Sequence, residues 1–247
     1  MSEIEIIRPS WPIPEFVQAI STTRTGGFSS APFDSLNLAD HVGDVTSAVK
    51  LNRELLVDQF AEGSKGQWLQ QIHSNRVVRV ESIAETLEAD ALVTSNKGIV
   101  LNILTADCLP LLLCAKDGSE IAAVHCGWRG LASDMVASTL ATMVCAPDQL
   151  LAWTGPAIGS CHFEVGAEVR EAFVGALSPE SIEQCFRPLA GYKFMANLAG
   201  ITKAQLRELG VRHVSGDDSC TFCDADRFYS YRRDGQCGRM VTSICIT

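Results

Sequence analysis

Between residues 67 and 124 the chain runs through one apolar, strand-like segment after another: WLQQI, VVRV, DALVTS, IVLNIL, LPLLLCA and EIAAVH. The intervals leave little room for helices, so this stretch is expected to form sheet. Immediately after it, GWRGLASDMVASTLATMVCA reads as a helix opened by Gly127 to Gly130, and LLAWTG returns to a buried strand. Strand, glycine turn and helix place His125 at the carboxyl end of a strand, where ligands commonly bind in α/β sheets.

The flanks are less regular. Residues 16–21 read as a first strand, and TTRTGGFSSAPFDSLNLADHVGD as a long ordered loop rich in turn residues. Loops of that length are often functional. Asp44 or Thr46 is the expected N-cap of a helix running to about Phe60, with Val45, Val49, Leu55 and Leu56 near helical spacing. VGAEVREAFVGAL and NLAGITKAQLRELG read as amphipathic helices, the second closed by Gly210, and VRHVSG as a short strand. The DG turn in FYSYRRDGQCGRMVTSICIT predicts a closing hairpin or bulged pair. No stretch has the composition of a linker, so residues 1–247 are expected to form a single domain.

Charge and composition narrow the partners. Twenty basic against 29 acidic residues give a net charge of −9, which would repel a phosphate backbone and makes nucleic acid an improbable partner. A small molecule is expected instead. The longest apolar stretch, 98–115, is broken by Asn102, Thr105, Asp107 and Pro110, so no membrane-spanning helix is expected. The start, MSEIEIIRPSWPIPEF, has neither the basic end nor the apolar run of a signal peptide. The ten cysteines are therefore read as reduced thiols of a soluble, cytoplasmic protein rather than as a disulfide framework.

Three strings carry the candidate chemistry: QIHS with His73, TADCLPLLL with Cys108, and AVHCGWRG with His125. Each ends a strand beside turn residues. Two imidazoles and one thiolate suit Zn(II), and three protein ligands leave a fourth position for water or substrate, the mark of a catalytic metal. The separations, 35 and then 17 residues, match no metal finger. Spacing alone leaves open a loop histidine, a buried thiol and a hydrogen-bonded core histidine.

Those strings, with STTRTGGFS, SLNLADHVGD, WTGPAIGSCHFEVG and FYSYRRDGQCGRM, resemble the YfiH family, also called the laccase-domain or polyphenol-oxidase-like family. The resemblance covers nearly the whole chain. It implies one metal site made by His73, Cys108 and His125. It also implies an α/β fold of layered mixed β-sheets flanked by helices, related to cysteine-dependent toxin deamidases. The activity it implies is phosphorolysis of adenosine, inosine and methylthioadenosine to base and sugar 1-phosphate, with adenosine deamination as a second reaction. Bacterial members are also called peptidoglycan editing factors. The chain departs from the family pattern at Asn197, where Asp is more frequent, and at Cys126, where Ala is common.

Deamination follows from a metal that lowers the pKa of bound water to ~7, provided a carboxylate shuttles the proton. The zinc-deaminase signature of HxE with PCxxC is missing, which leaves Asp107 and Glu164 as candidates. Asp107 would face away from Cys108 on a regular strand, so its role requires a bulge or turn. Phosphorolysis needs a held phosphate, for which Arg24, Arg129 and Arg232 with Arg233 are eligible forks; pairing with structural carboxylates is the alternative for each. The catalytic candidates are thus Cys108, His125 and Asp107, and the substrate-binding candidates Arg24, Arg129, Glu164 and Arg232. The expected partners are a nucleoside and phosphate, and the expected assembly a monomer or homodimer.

A second enzyme reading makes Cys108 a nucleophile with His125 as base and an Asp or Asn as orienter, giving a hydrolase or amidase acting on cell-wall precursors. A multicopper oxidase is not expected, because five histidines with no HxH pair cannot build one; Cu(II) could occupy the zinc site. The CTFC string offers Cys220 and Cys223, with Cys237 as a possible third thiol, but no fourth ligand is evident and a structural zinc is disfavoured. His41 could face the pocket, whereas His162 and His213 are expected to be structural. Trp128 is either a purine-stacking or a core residue.

Overall fold

The computed structural model describes residues 4–247. Two sheets stack face to face. The first has five strands in the order Ile6–Ile7, Val17–Thr22, Met240–Ile246, Ile99–Thr105 and Lys65–Gln67, antiparallel except for the last pair. The second has six, in the order His213–Gly216, Leu150–Thr154, Leu109–Ala115, Ile121–Cys126, Ala91–Thr94 and Val77–Arg79, with parallel pairs at its two edges.

Strand alternation assigns the cores. Leu109, Leu111 and Leu113 face one side of the six-stranded sheet and pack with the helices Met135–Thr142 and Leu198–Glu208. Leu112 and Cys114 face the other side and meet Leu101, Ile103 and Ile244 of the five-stranded sheet. The outer face of that sheet, through Ile20, Val100 and Val241, is covered by Leu56 of the helix Thr46–Val57 and by Leu36 and Leu38. Both faces of both sheets are therefore buried, which is why LPLLLCA reads as an unbroken apolar run. The layers are helix, sheet, sheet, helix: the α/β fold of mixed sheets expected from the sequence.

Several local expectations are corrected. The closing segment is not a hairpin: a short helix, Tyr231–Asp234, precedes Met240–Ile246, which pairs on both sides with distant strands. The helix after His125 breaks in two, Trp128–Ala132 and Met135–Thr142, at Asp134 with φ +64. VGAEVREAFVGAL keeps only Ala167–Glu171 as helix, because Gly175 turns the chain at φ +92 and Val174 and Leu177 close that turn with an isolated β-bridge. Val45, not Asp44 or Thr46, occupies the N-cap position of Thr46–Val57, while Asp44 Oδ1 accepts the Val45 N–H at 2.7 Å. The small sheet of Glu164–Gly166, Lys193–Ala196 and Phe186–Pro188 had no clear sequence signal. Among the described residues no helix is long and apolar enough to cross a membrane.

Candidate metal centre and active site

The link between Ile99–Thr105 and Leu109–Ala115 carries the chain from one sheet to the other, and Cys108 lies in it. Asp107 takes φ +92 there, so a turn rather than strand alternation sets its direction, and both residues line one cavity of about 310 Å³. His125 is the penultimate residue of Ile121–Cys126, paired with Pro110 and only 3% exposed. His73 follows Leu69–Gln70 with φ +59, a conformation that costs a histidine about 1–3 kcal/mol unless its surroundings hold it.

Asp90 holds it. This fully buried carboxylate precedes Ala91–Thr94, the neighbour of Ile121–Cys126. Its Oδ1 accepts the His73 N–H at 2.9 Å and bonds His125 Nδ1 at 2.8 Å, and its Oδ2 accepts the Ser74 N–H at 2.6 Å and the Ser74 hydroxyl at 2.8 Å. The Asp90 carbonyl accepts the His125 N–H at 2.8 Å. Burial raises the Asp90 pKa, but the His125 and Ser74 hydrogen bonds outweigh it and hold the group below the usual carboxylate value. One aspartate thus fixes the ring of one candidate ligand and the backbone of another.

With Nδ1 of His125 engaged, its Nε2 is the atom left for a metal. The donor atoms of His73, Cys108 and His125 lie within 4.8 Å of one another, and Cys108 Sγ is 4.0 Å from His73 Nε2. The two imidazoles cross edge-on with centroids 4.8 Å apart. Gly127 leaves room for them: a Cβ there would stand 3.2 Å from Cys108 Sγ and 3.1 Å from His73 Cδ2. Burial opposes charge on Cys108, yet the His125 charge and hydrogen bonds from both imidazoles bring its thiol down to about 6. Burial also opposes charge on His125, and the Cys108 thiolate with Asp90 carries it up to about 9. A polarised thiolate, two oriented imidazoles and a carboxylate behind one of them fit a divalent metal of the zinc kind.

The cavity also has a cationic lining. Arg232 and Arg239 both reach it, and among the described residues neither guanidinium group pairs with a carboxylate. Arg232 Nη1 donates to the Glu164 carbonyl at 2.9 Å, and Arg239 Nη1 to the carbonyls of Cys237 and Gly238. Asp107 is spent on the same region: its Oδ1 accepts from Thr221 Oγ1 and its Oδ2 from the Arg232 N–H, both at 2.7 Å.

A family model described as multi-copper polyphenol oxidoreductase laccase matches residues 18–247. The chain belongs to that family. This laccase-like chain is 42% identical to the purine nucleoside phosphorylase of Haemophilus influenzae, over 98% of its own length and 99% of the relative's. It is also 42% identical to the purine nucleoside phosphorylase YfiH of Escherichia coli K12, covering 97% and 98% of the two chains. The crystal structure of Neisseria meningitidis protein NMB0706 shares its fold at a TM-score of 0.93 and 40% identity, with 98% of each chain covered.

Other residues singled out in the laccase-like sequence stand elsewhere. Arg24 does not line the cavity: Nε donates to the Asp34 carbonyl, Nη1 to the Ala225 carbonyl, and the guanidinium lies over the Tyr229 ring. Arg129 is exposed over its neighbour Trp128, which packs against the core and lies outside the cavity lining. Arg233 is tied to Asp234 and to the carbonyls of Thr221, Phe222 and Phe228. The Glu164 side chain pairs outward with Lys193 at 2.6 Å, and only its carbonyl reaches Arg232. Asn197 caps the helix Leu198–Glu208, accepting the Gly200 N–H, so its departure from Asp lies at a helix end rather than in the cavity. Cys126 points into the core, where burial drives its thiol far up. His41 does line the cavity. Asp90 and Arg239 were missed: nothing in EADALVTS or CGRM marks them until strand pairing brings them to the site.

Proposed function

We propose that this chain is a purine nucleoside phosphorylase whose His73, Cys108 and His125 hold a metal, Zn(II) by preference, opposite a phosphate gripped by Arg232 and Arg239. The carrying observation is that the three candidate ligands line one cavity with two arginines whose guanidinium groups pair with no carboxylate among the described residues. The names of the relatives support the same reading. In phosphorolysis a phosphate oxygen bonds to C1′ of the ribose, the C1′–N9 bond breaks, and the purine leaves with the electron pair and takes up a proton. Arginine forks align the phosphate for that displacement. When bound, Zn(II) supplies Lewis acidity, and Cu(II) is accepted by the same imidazoles and thiolate.

Asp107 acts here as a positioning residue rather than as a proton shuttle, because both its oxygens accept from the protein and one of them orients the Arg232 backbone. Tyr231, exposed at the cavity, offers a face for the purine. Adenosine, inosine and methylthioadenosine form the proposed substrate range, with adenosine deamination as a second reaction of the same centre. The donor set does not suit a multicopper cluster: the whole chain has five histidines.

One observation favours a second reading. Cys108, His125 and Asp90 stand as thiolate, imidazole and orienting carboxylate, the order of a cysteine hydrolase. Metal removal separates the two. The phosphorylase reading expects loss of base release from adenosine and phosphate on chelation, and its recovery with zinc. Unchanged turnover after chelation favours the thiol mechanism.

A further inference from the structure

Outside the cavity, Cys220 and Cys223 of the CTFC string stand together with Cys161 and His162, the ligand atoms of all four within 4.8 Å of one another. We propose that they form a second, closed metal site, a structural Cys3His zinc centre.

The topology builds it. Leu150–Thr154 and His213–Gly216 are parallel neighbours, so the loops leaving their carboxyl ends emerge side by side. The first loop turns at Cys161 and His162, and the second carries the CTFC string. Ala157 and Cys220 form a β-bridge between them, with the Thr221 N–H donating to the Ala157 carbonyl at 3.0 Å. Neither segment alone holds more than two ligands. Together they hold four.

The spacing of the donors matches zinc. Tetrahedral Zn(II) with bonds of about 2.3 Å to sulfur and 2.0 Å to nitrogen puts sulfurs about 3.8 Å apart and sulfur about 3.5 Å from nitrogen. Cys161 Sγ lies 3.8 Å from Cys220 Sγ and 3.6 Å from Cys223 Sγ. His162 Nδ1 lies 3.2 Å from Cys161 Sγ and 3.3 Å from Cys223 Sγ. Two features beyond the ligands support a thiolate-rich site. The Gly159 N–H donates to Cys220 Sγ at 3.1 Å, and the His162 ring is fixed by stacking on Phe222 at 4.1 Å. Cys237, the third thiol considered from sequence, is buried in a separate cluster with Phe228, Tyr229 and Met240.

The centre clamps the wall of the cavity. Ile158, in the first loop, lines the cavity and donates its N–H to the Asp107 carbonyl at 2.9 Å; Phe163 follows His162 and also lines it. Thr221, between the cysteines of the second loop, donates to Asp107 Oδ1. Four protein ligands leave no position for substrate, so the role is to pin these loops rather than to react.

The test uses the full chain and zinc or cobalt as the probe. Zinc-reconstituted wild type is expected to retain two equivalents after desalting, Cys108→Ala one, and Cys108→Ala with Cys223→Ser none. Cobalt in Cys108→Ala is expected to give intense thiolate charge-transfer bands and tetrahedral ligand-field bands that the double variant lacks. Alkylation mapping needs no variant: in wild type, Cys161, Cys220 and Cys223 should be shielded with zinc and labelled together on chelation. The proposal is overturned if Cys108→Ala gives no thiolate-to-cobalt bands, if zinc leaves those three cysteines as reactive as chelator does, or if they are found in a disulfide. The cobalt bands of Cys108→Ala and the labelling of Cys161, Cys220 and Cys223 report on this site alone, whereas the zinc lost between wild type and Cys108→Ala reports on the other centre, on which the phosphorylase reading rests.

Discussion

Asp90 Oδ1 and His125 Nδ1 stand 2.8 Å apart, with Asp90 fully buried, and the same oxygen accepts the backbone N–H of His73. A carboxylate in that position fixes which imidazole nitrogen faces the metal and raises its basicity. Replacing it by amide keeps the shape and loses the charge. Asp90→Asn should weaken zinc binding at the His73–Cys108–His125 centre by about 10–100-fold, read by competition with a chromophoric chelator. Asp90→Ala also strands the N–H groups of His73 and Ser74 and should cost on the order of 3 kcal/mol in denaturant unfolding.

Gly127 offers a steric test of the same centre. Its added Cβ would sit 3.2 Å from Cys108 Sγ, closer than ordinary packing allows. Gly127→Ala should therefore lower zinc affinity at that centre while changing the melting temperature little, since the strand and helix around it are retained. Unaltered affinity would show that thiol and imidazole have slack to move.

The arginines divide by function. Arg239→Ala should raise the KM for phosphate and lower kcat/KM by about 10- to 100-fold, the worth of a charge-assisted contact, with zinc content unchanged. Arg24→Ala, which removes contacts to Asp34, Ala225 and Tyr229, should instead appear as a loss of stability.

Acid should titrate the metal-free centre in a defined window. The folded Cys108 lies below its ordinary 9.0, so its contribution to stability is complete above that value and is lost as pH falls through about 6. His125 runs the other way: its contribution is complete below 6.5 and is lost as pH rises through about 9. The thiolate ultraviolet band of metal-free wild type, less that of Cys108→Ser, should disappear with a midpoint near pH 6. A midpoint near 9 would mean that His125 does not stabilise the thiolate.

The buried strands around the site were legible because LPLLLCA and EIAAVH carry their burial in their own composition, and His73, Cys108 and His125 stood out by the strings around them. Asp90 was not legible: it becomes a partner of His125 only through the antiparallel register that sets Val124 opposite Ala91. Met240–Ile246 has the composition of any buried strand, and its neighbours Val17–Thr22 and Ile99–Thr105 are chosen by the sheet as a whole. Cys161 and His162 meet the CTFC string only because Leu150–Thr154 and His213–Gly216 run parallel. The arginines failed as a sequence signal for a related reason: charge marks Arg24, Arg232 and Arg239 alike, and only the fold shows that Arg24 is enclosed by structural partners.

The most direct measurement is chromatography of the products formed from adenosine by zinc-loaded protein, with and without phosphate, in wild type and Cys108→Ala. Phosphate-dependent adenine with ribose 1-phosphate in wild type, and neither product in Cys108→Ala, is the predicted result. Free ribose independent of phosphate, or equal turnover by Cys108→Ala, would contradict it.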